Sequence, residues 1–146
     1  MRGVLASLAV AVALAGCAAG QTGKDNAYVD AVNRAQARFA ATVHQLSGRP
    51  GAKSSRRTLR SFDAAVGRVV GNLRAITPPD RVAALHRRLV ARMDAYGRQV
   101  RRETALLRSG DAARVVAAQQ RLLAATEAVG ARINALIDAI NRRLRA

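Results

Sequence analysis

Apolar residues recur along this chain in alternating steps of three and four, the repeat of a helix with one buried face. Tyr28, Val32, Ala35, Phe39, Thr42 and Leu46 form the first stripe. The run Ser47-Gly48-Arg49-Pro50-Gly51 ends it, because glycine accepts a left-handed cap and proline cannot continue the hydrogen-bond ladder. A second helix from near Ser54 carries Leu59, Phe62, Val66, Val69, Leu73 and Ile76. Thr77-Pro78-Pro79-Asp80 then predicts a new start, with Thr77 as N-cap, Pro78 in the first turn and Asp80 on the positive helix end. From Pro78 to about Ser109, Val82, Leu85, Leu89, Met93, Tyr96, Val100 and Leu107 face one way, opposite Arg87, Arg98, Arg101, Arg102 and Arg108. Gly110 and Asp111 supply a closing glycine and a fresh N-cap with almost no loop, so the chain must fold back as an antiparallel hairpin. The fourth helix, Ala112 to about Arg145, turns Val115, Leu122, Val129, Ile133, Leu136 and Ile140 inward. Arg142, Arg143 and Arg145 suit its negative end.

Burying one such apolar side chain contributes roughly 1.5 to 3 kcal/mol, so four isolated stripes would expose more than water tolerates. The expected fold is all-α: an antiparallel up-down four-helix bundle with two shorter and two longer helices. A pair of hairpins completed by a second chain is the competing arrangement, and the sequence leaves the oligomeric state open. The expected helices hold about 22, 23, 32 and 34 residues, a mismatch of roughly 15 Å at 1.5 Å per residue. Leu106, Leu107, Val115 and Val116 would outrun their partners at the tip, making them a candidate protein contact unless the segment 48–58 folds over them.

The opening residues have a different character. Met1 and Arg2 precede an uncharged stretch from Gly3 to Gly16, too short to cross about 30 Å of hydrocarbon and suited to an export leader. Leu14-Ala15-Gly16-Cys17 contains the only cysteine of the chain, which excludes an internal disulfide. These four residues resemble the lipobox of bacterial lipoproteins. The resemblance implies a diacylglyceryl group on Cys17, cleavage before it, and a mature protein held on the outer face of the cell membrane. Residues 1–16 are then a lipoprotein signal peptide, 17–25 a flexible tether and 26–146 the bundle domain. Two or three acyl chains make such attachment stable where one does not. Later apolar runs are interrupted by arginine within a few residues, so no further span is expected.

Charge adds a candidate partner. The formal balance is +16, from 25 basic and 9 acidic residues, and only Lys24 and Lys53 are lysines. Arg49, Lys53, Arg56, Arg57 and Arg60 follow one another with no acid between Asp30 and Asp63. Near an anionic surface each basic residue contributes about 1 kcal/mol. In an upright, anchored bundle this run points away from the membrane, which favours an anionic cell-wall polymer over lipid; a solvated basic helix start is the plainer reading. Nucleic acid is excluded by export and by the absence of aromatics interleaved with the arginines.

Catalytic chemistry has little to build on. His44 and His86 sit beside the stripes of different helices without partner signals, and Glu103 and Glu127 are the only glutamates. Glu-x-x-His pairs, metal-ligand spacings and nucleophile elbows do not occur. No cofactor, metal or enzymatic activity is expected. Gly67-x-x-x-Gly71 is expected to let a neighbouring helix approach closely. The alanine and arginine habit and the stretch TPPDRVAALHRRL resemble the small helical lipoproteins of high-GC Gram-positive bacteria, a resemblance that implies location and fold. The expected function is that of a non-enzymatic, membrane-anchored envelope lipoprotein binding a protein or anionic polymer through its basic surface. The alternative is a small-ligand or sensor module with an interhelical pocket.

Overall fold

In a computed structural model of the chain, residues 22–46, 52–105 and 111–146 are described. They form four helices: α1 (Thr22–Leu46), α2 (Ala52–Arg74), α3 (Ala83–Ala105) and α4 (Ala112–Arg145). A single 3-10 turn, Asp80–Val82, leads into α3.

Pairs of touching side chains fix the directions. Leu73 lies near His86 and Phe62 near Tyr96, so α2 and α3 run antiparallel. Tyr96 meets Thr126 and Glu103 meets Arg121, so α3 and α4 are antiparallel too. Tyr28 meets His86 and Phe39 meets Tyr96, which leaves α1 parallel to α3. The protein is an all-α, up-down four-helix bundle, as its periodicity requires. Its square is sheared: α2 approaches α4 across one diagonal more than α1 approaches α4 along an edge. Rings from α1 and α3 meet across the other diagonal, with centroids 5.6 and 5.8 Å apart.

The core closes tightly. Leu59, Val66, Val82, Val100, Ala118 and Leu122 are wholly excluded from solvent. Val32, Leu73, Met93 and Ile137, one from each helix, border a residual void of about 20 Å³.

Four local expectations are corrected. Helix α1 begins at Thr22, so residues 22–25 belong to the helix instead of a flexible tether. Asp25 lies in its first turn, where a carboxylate favours the positive end, and pairs with Arg81. Thr77 caps nothing: Pro79 precedes the helical turn with φ −59° and ψ 145°. A residue before proline is pushed out of the helical region, and Pro78, followed by Pro79, cannot open a helix. Helix α4 turns Ala118, Thr126, Gly130 and Ile137 to the core and leaves Val129 and Leu136 half-buried at its flank. Finally, Gly67 and Gly71 are exposed on α2 and a Cβ there would meet nothing within 4 Å, so they mediate no close approach. Gly97 of α3 is buried against α2, and a methyl there would lie in ordinary contact with Val66 and Val70, so it is not a forced close approach either.

Candidate functional site

The basic run opens α2. Lys53 and Arg56 lie on its first turns, Arg57 and Arg60 are exposed, and Arg49 lies outside the described residues. Because Phe62 is level with Tyr96, the antiparallel pairing puts the start of α2 beside the end of α3. There Arg98, Arg101 and Arg102 are exposed. The start of α4 adds Arg114 and Arg121. The acids at this end are largely engaged. Glu103 accepts from Arg121 Nε at 3.0 Å and Nη2 at 2.8 Å, which holds that guanidinium further in its charged form. Asp111 caps α4, accepting from the Ala113 N–H at 2.9 Å and the Arg114 N–H at 3.4 Å, and its other oxygen meets Arg114 Nε. Arg57, Arg60, Arg98, Arg101 and Arg102 have no acidic partner among the described residues.

The opposite end holds the first turn of α1, the end of α2, the start of α3 and the end of α4; Arg87, Arg88, Arg142, Arg143 and Arg145 are exposed there without acidic partners among the described residues, while other polar groups bind one another. Arg81 pairs with Asp25 and Arg74 with Asp94. His86 is 5% exposed. Its Nε2 faces the Leu73 carbonyl at 3.1 Å, an acceptor, so Nε2 carries the proton and donates. Nδ1 therefore accepts from the Tyr28 hydroxyl at 3.2 Å. Burial holds the imidazole below its ordinary 6.5, partly offset by the Leu73 carbonyl, and lifts the Tyr28 phenol to about 12. With both nitrogens engaged, His86 has none free for a metal ion or a substrate proton. Farther up the core the Tyr96 hydroxyl donates to Thr126, whose own proton goes to the Leu122 carbonyl at 2.6 Å. Burial also raises the Tyr96 phenol to about 12, against the opposing pull of Thr126.

Ile76, Pro78, Val90, His86 and Arg87 border an open groove of about 430 Å³ between the α2–α3 connection and α3. No group of three or more His, Cys, Asp or Glu side chains comes together among the described residues.

The remaining expected site residues are not gathered into a surface. Val115, 1% exposed, is part of the core and does not outrun its neighbours, and Val116 is half-buried. Leu106 and Leu107 lie outside the described residues, as do Leu14, Ala15, Gly16 and Cys17. Among the described residues no helix is long and apolar enough to cross a membrane. His86 was legible in the sequence by phase: it follows Val82 by four and precedes Leu89 by three, both core positions. Its partner Tyr28 is 58 residues away, beyond any local spacing rule. No family model, curated protein or solved structure matches the chain.

Proposed function

We propose that this chain is a non-enzymatic cell-envelope lipoprotein, tethered to the outer face of the membrane through Cys17 and binding an anionic envelope polymer through its basic far end. One observation carries the reading: α1 starts at one end of the bundle, whereas Arg57, Arg60, Arg98, Arg101 and Arg102 gather without acidic partners at the other. A tether attached before Thr22 directs that second end outward. Excess positive charge draws polyanions over a Debye length of about 8 Å at physiological salt. The bundle interior, with a cleft of about 20 Å³, gives a pocket among the four helices no support, since such sites usually occupy about 300 Å³ or more, and the groove of about 430 Å³ beside the α2–α3 connection is an open surface feature.

Two measurements test the two halves of this proposal. Radiolabelled fatty acid is expected to enter the wild-type chain, and Cys17→Ser is expected to release it from the membrane pellet; an unlabelled chain whose serine variant still pellets would contradict the anchor. Charge reversal at Arg56, Arg57 and Arg60 is expected to abolish retention on purified anionic wall polymer. Unchanged retention would contradict that use of the basic run.

A further inference from the structure

Helix α3 carries an unusual surface of its own. Arg87, Arg88, Arg92, Arg98, Arg101 and Arg102 are all exposed, and none has an ion-pair partner among the described residues. The helix has two acids, and both are drawn to neighbouring helices: Asp94 to Arg74 of α2 and Glu103 to Arg121 of α4. Its outward face is left entirely cationic.

At 100° per residue the arginines fall in two rows. Arg87, Arg98 and Arg101 lie on one side, Arg88 and Arg92 on the other, and Arg102 closes the track near its end. Between the rows run Ala84, Ala91 and Ala95, all exposed. The methyl side chains make a low floor between long cationic walls. From Arg87 to Arg102 the track extends about 22 Å along the helix at 1.5 Å per residue. Arg88 and Arg92, like Arg98 and Arg102, are four residues apart, a spacing at which like charges repel. A polyanion lying between them would relieve that repulsion.

We propose that this track binds a linear phosphodiester polymer laid along α3. The claim rests on the polymer-binding reading above and names both the ligand chemistry and its path. A thin chain with one charge per repeat fits a narrow floor between two cationic rows, and guanidinium forks bind phosphate oxygens in pairs. The only aromatic of α3, Tyr96, is buried, so the track has no platform for stacking bases. Because α3 follows the bundle axis, the polymer runs from the tethered end toward the far end, and the basic start of α2 meets it there.

The test uses the full-length protein purified from membranes, with three probes: poly(glycerol phosphate), tripolyphosphate and single-stranded oligothymidylate. Two variants are compared, one with Arg88, Arg92, Arg98 and Arg102 changed to serine, the other with Arg56, Arg57 and Arg60 changed to serine. Circular dichroism checks that both remain helical. Wild type is expected to bind the long polymer far more tightly than tripolyphosphate, since only the long chain spans the track. The α3 variant is expected to weaken this by about tenfold or more and to flatten the salt dependence of log K by about 0.7 for each contact removed. Loss confined to the α2 variant would overturn the track while leaving polymer binding intact. Failure of wild type to bind either phosphate probe would overturn both readings. Preference for oligothymidylate, lost in the α3 variant, would reassign the track to nucleic acid and overturn the proposal.

Discussion

The two ends of this bundle are built from similar residues and differ in how much of their charge ties helices together. At the start of α1 several groups have an internal partner, Asp25 with Arg81, Arg74 with Asp94, Tyr28 and the Leu73 carbonyl with His86, although Arg87, Arg88, Arg142, Arg143 and Arg145 at that end have none among the described residues. These contacts tie α1, α2 and α3 together. On the outer face of α3 and at the start of α2, arginines stand exposed with no acid opposite them. Exposed ion pairs contribute only about 0 to 1 kcal/mol, so leaving arginines unpaired costs the fold little. The difference teaches which cations serve the structure and which are available to something outside it.

Substitutions separate the two regions by size of effect. The largest loss belongs to neither end but to the shared core: Phe62→Ala is expected to destabilise by about 3 to 5 kcal/mol in urea denaturation. A smaller, local loss is expected at the tied end. His86→Ala leaves the buried Tyr28 hydroxyl without a partner, a desolvation cost of about 1 to 3 kcal/mol, while the Leu73 carbonyl keeps its bond from the Ile76 N–H. Arg92→Ser, on the outer face, is expected to stay within about 0.5 kcal/mol of wild type. If the two substitutions cost the same, the comparison between the regions fails.

Acidity probes the tied end selectively. The folded protein holds His86 below its ordinary pKa of 6.5, so the unfolded chain takes up the proton first as pH falls. Stability associated with this residue is therefore complete above 6.5 and declines below it. Denaturation midpoints measured at pH 7.5 and pH 5, as in ~two buffers flanking that value, are expected to differ less for His86→Gln than for wild type. At the alkaline extreme the sign reverses. Tyr28 and Tyr96 are raised from 10.0 to about 12, so stability is expected to fall as pH rises past 10.0. A modest effect is expected at the start of α4, where Asp111→Ala removes a cap worth about 1 kcal/mol, more than Arg92→Ser and less than Phe62→Ala.

The fold was legible because its signal is periodic. Leu59, Phe62, Val66, Val69 and Leu73 occupy the core as their spacing predicts, and Asp111 caps α4 as its position predicts. What the sequence concealed depends on tertiary approach. Val129 and Leu136 fit a helical stripe as well as Thr126 and Gly130 do, and only the placement of the other three helices decides which face of α4 is covered. Gly67 and Gly71 looked like a close-approach pair, yet they face solvent, and the buried glycine of this interface is Gly97, packed beside Val66 and Val70. Pro78 looked like a helix start until the effect of Pro79 on its backbone is counted. For the candidate site, the basic start of α2 could be read directly from the chain. The arginine face of α3 and the turn-back were legible too; what the sequence hid is that Asp94 and Glu103 are held by other helices.

The central claim is that the cations on the outer face of α3 serve binding and not folding. Its most direct test is a paired measurement on the variant with Arg88, Arg92, Arg98 and Arg102 changed to serine: urea denaturation beside retention on purified anionic wall polymer. The account predicts a midpoint equal to or above that of wild type, because like-charge repulsion is relieved, together with lost retention. A lower midpoint with retention unchanged would contradict it.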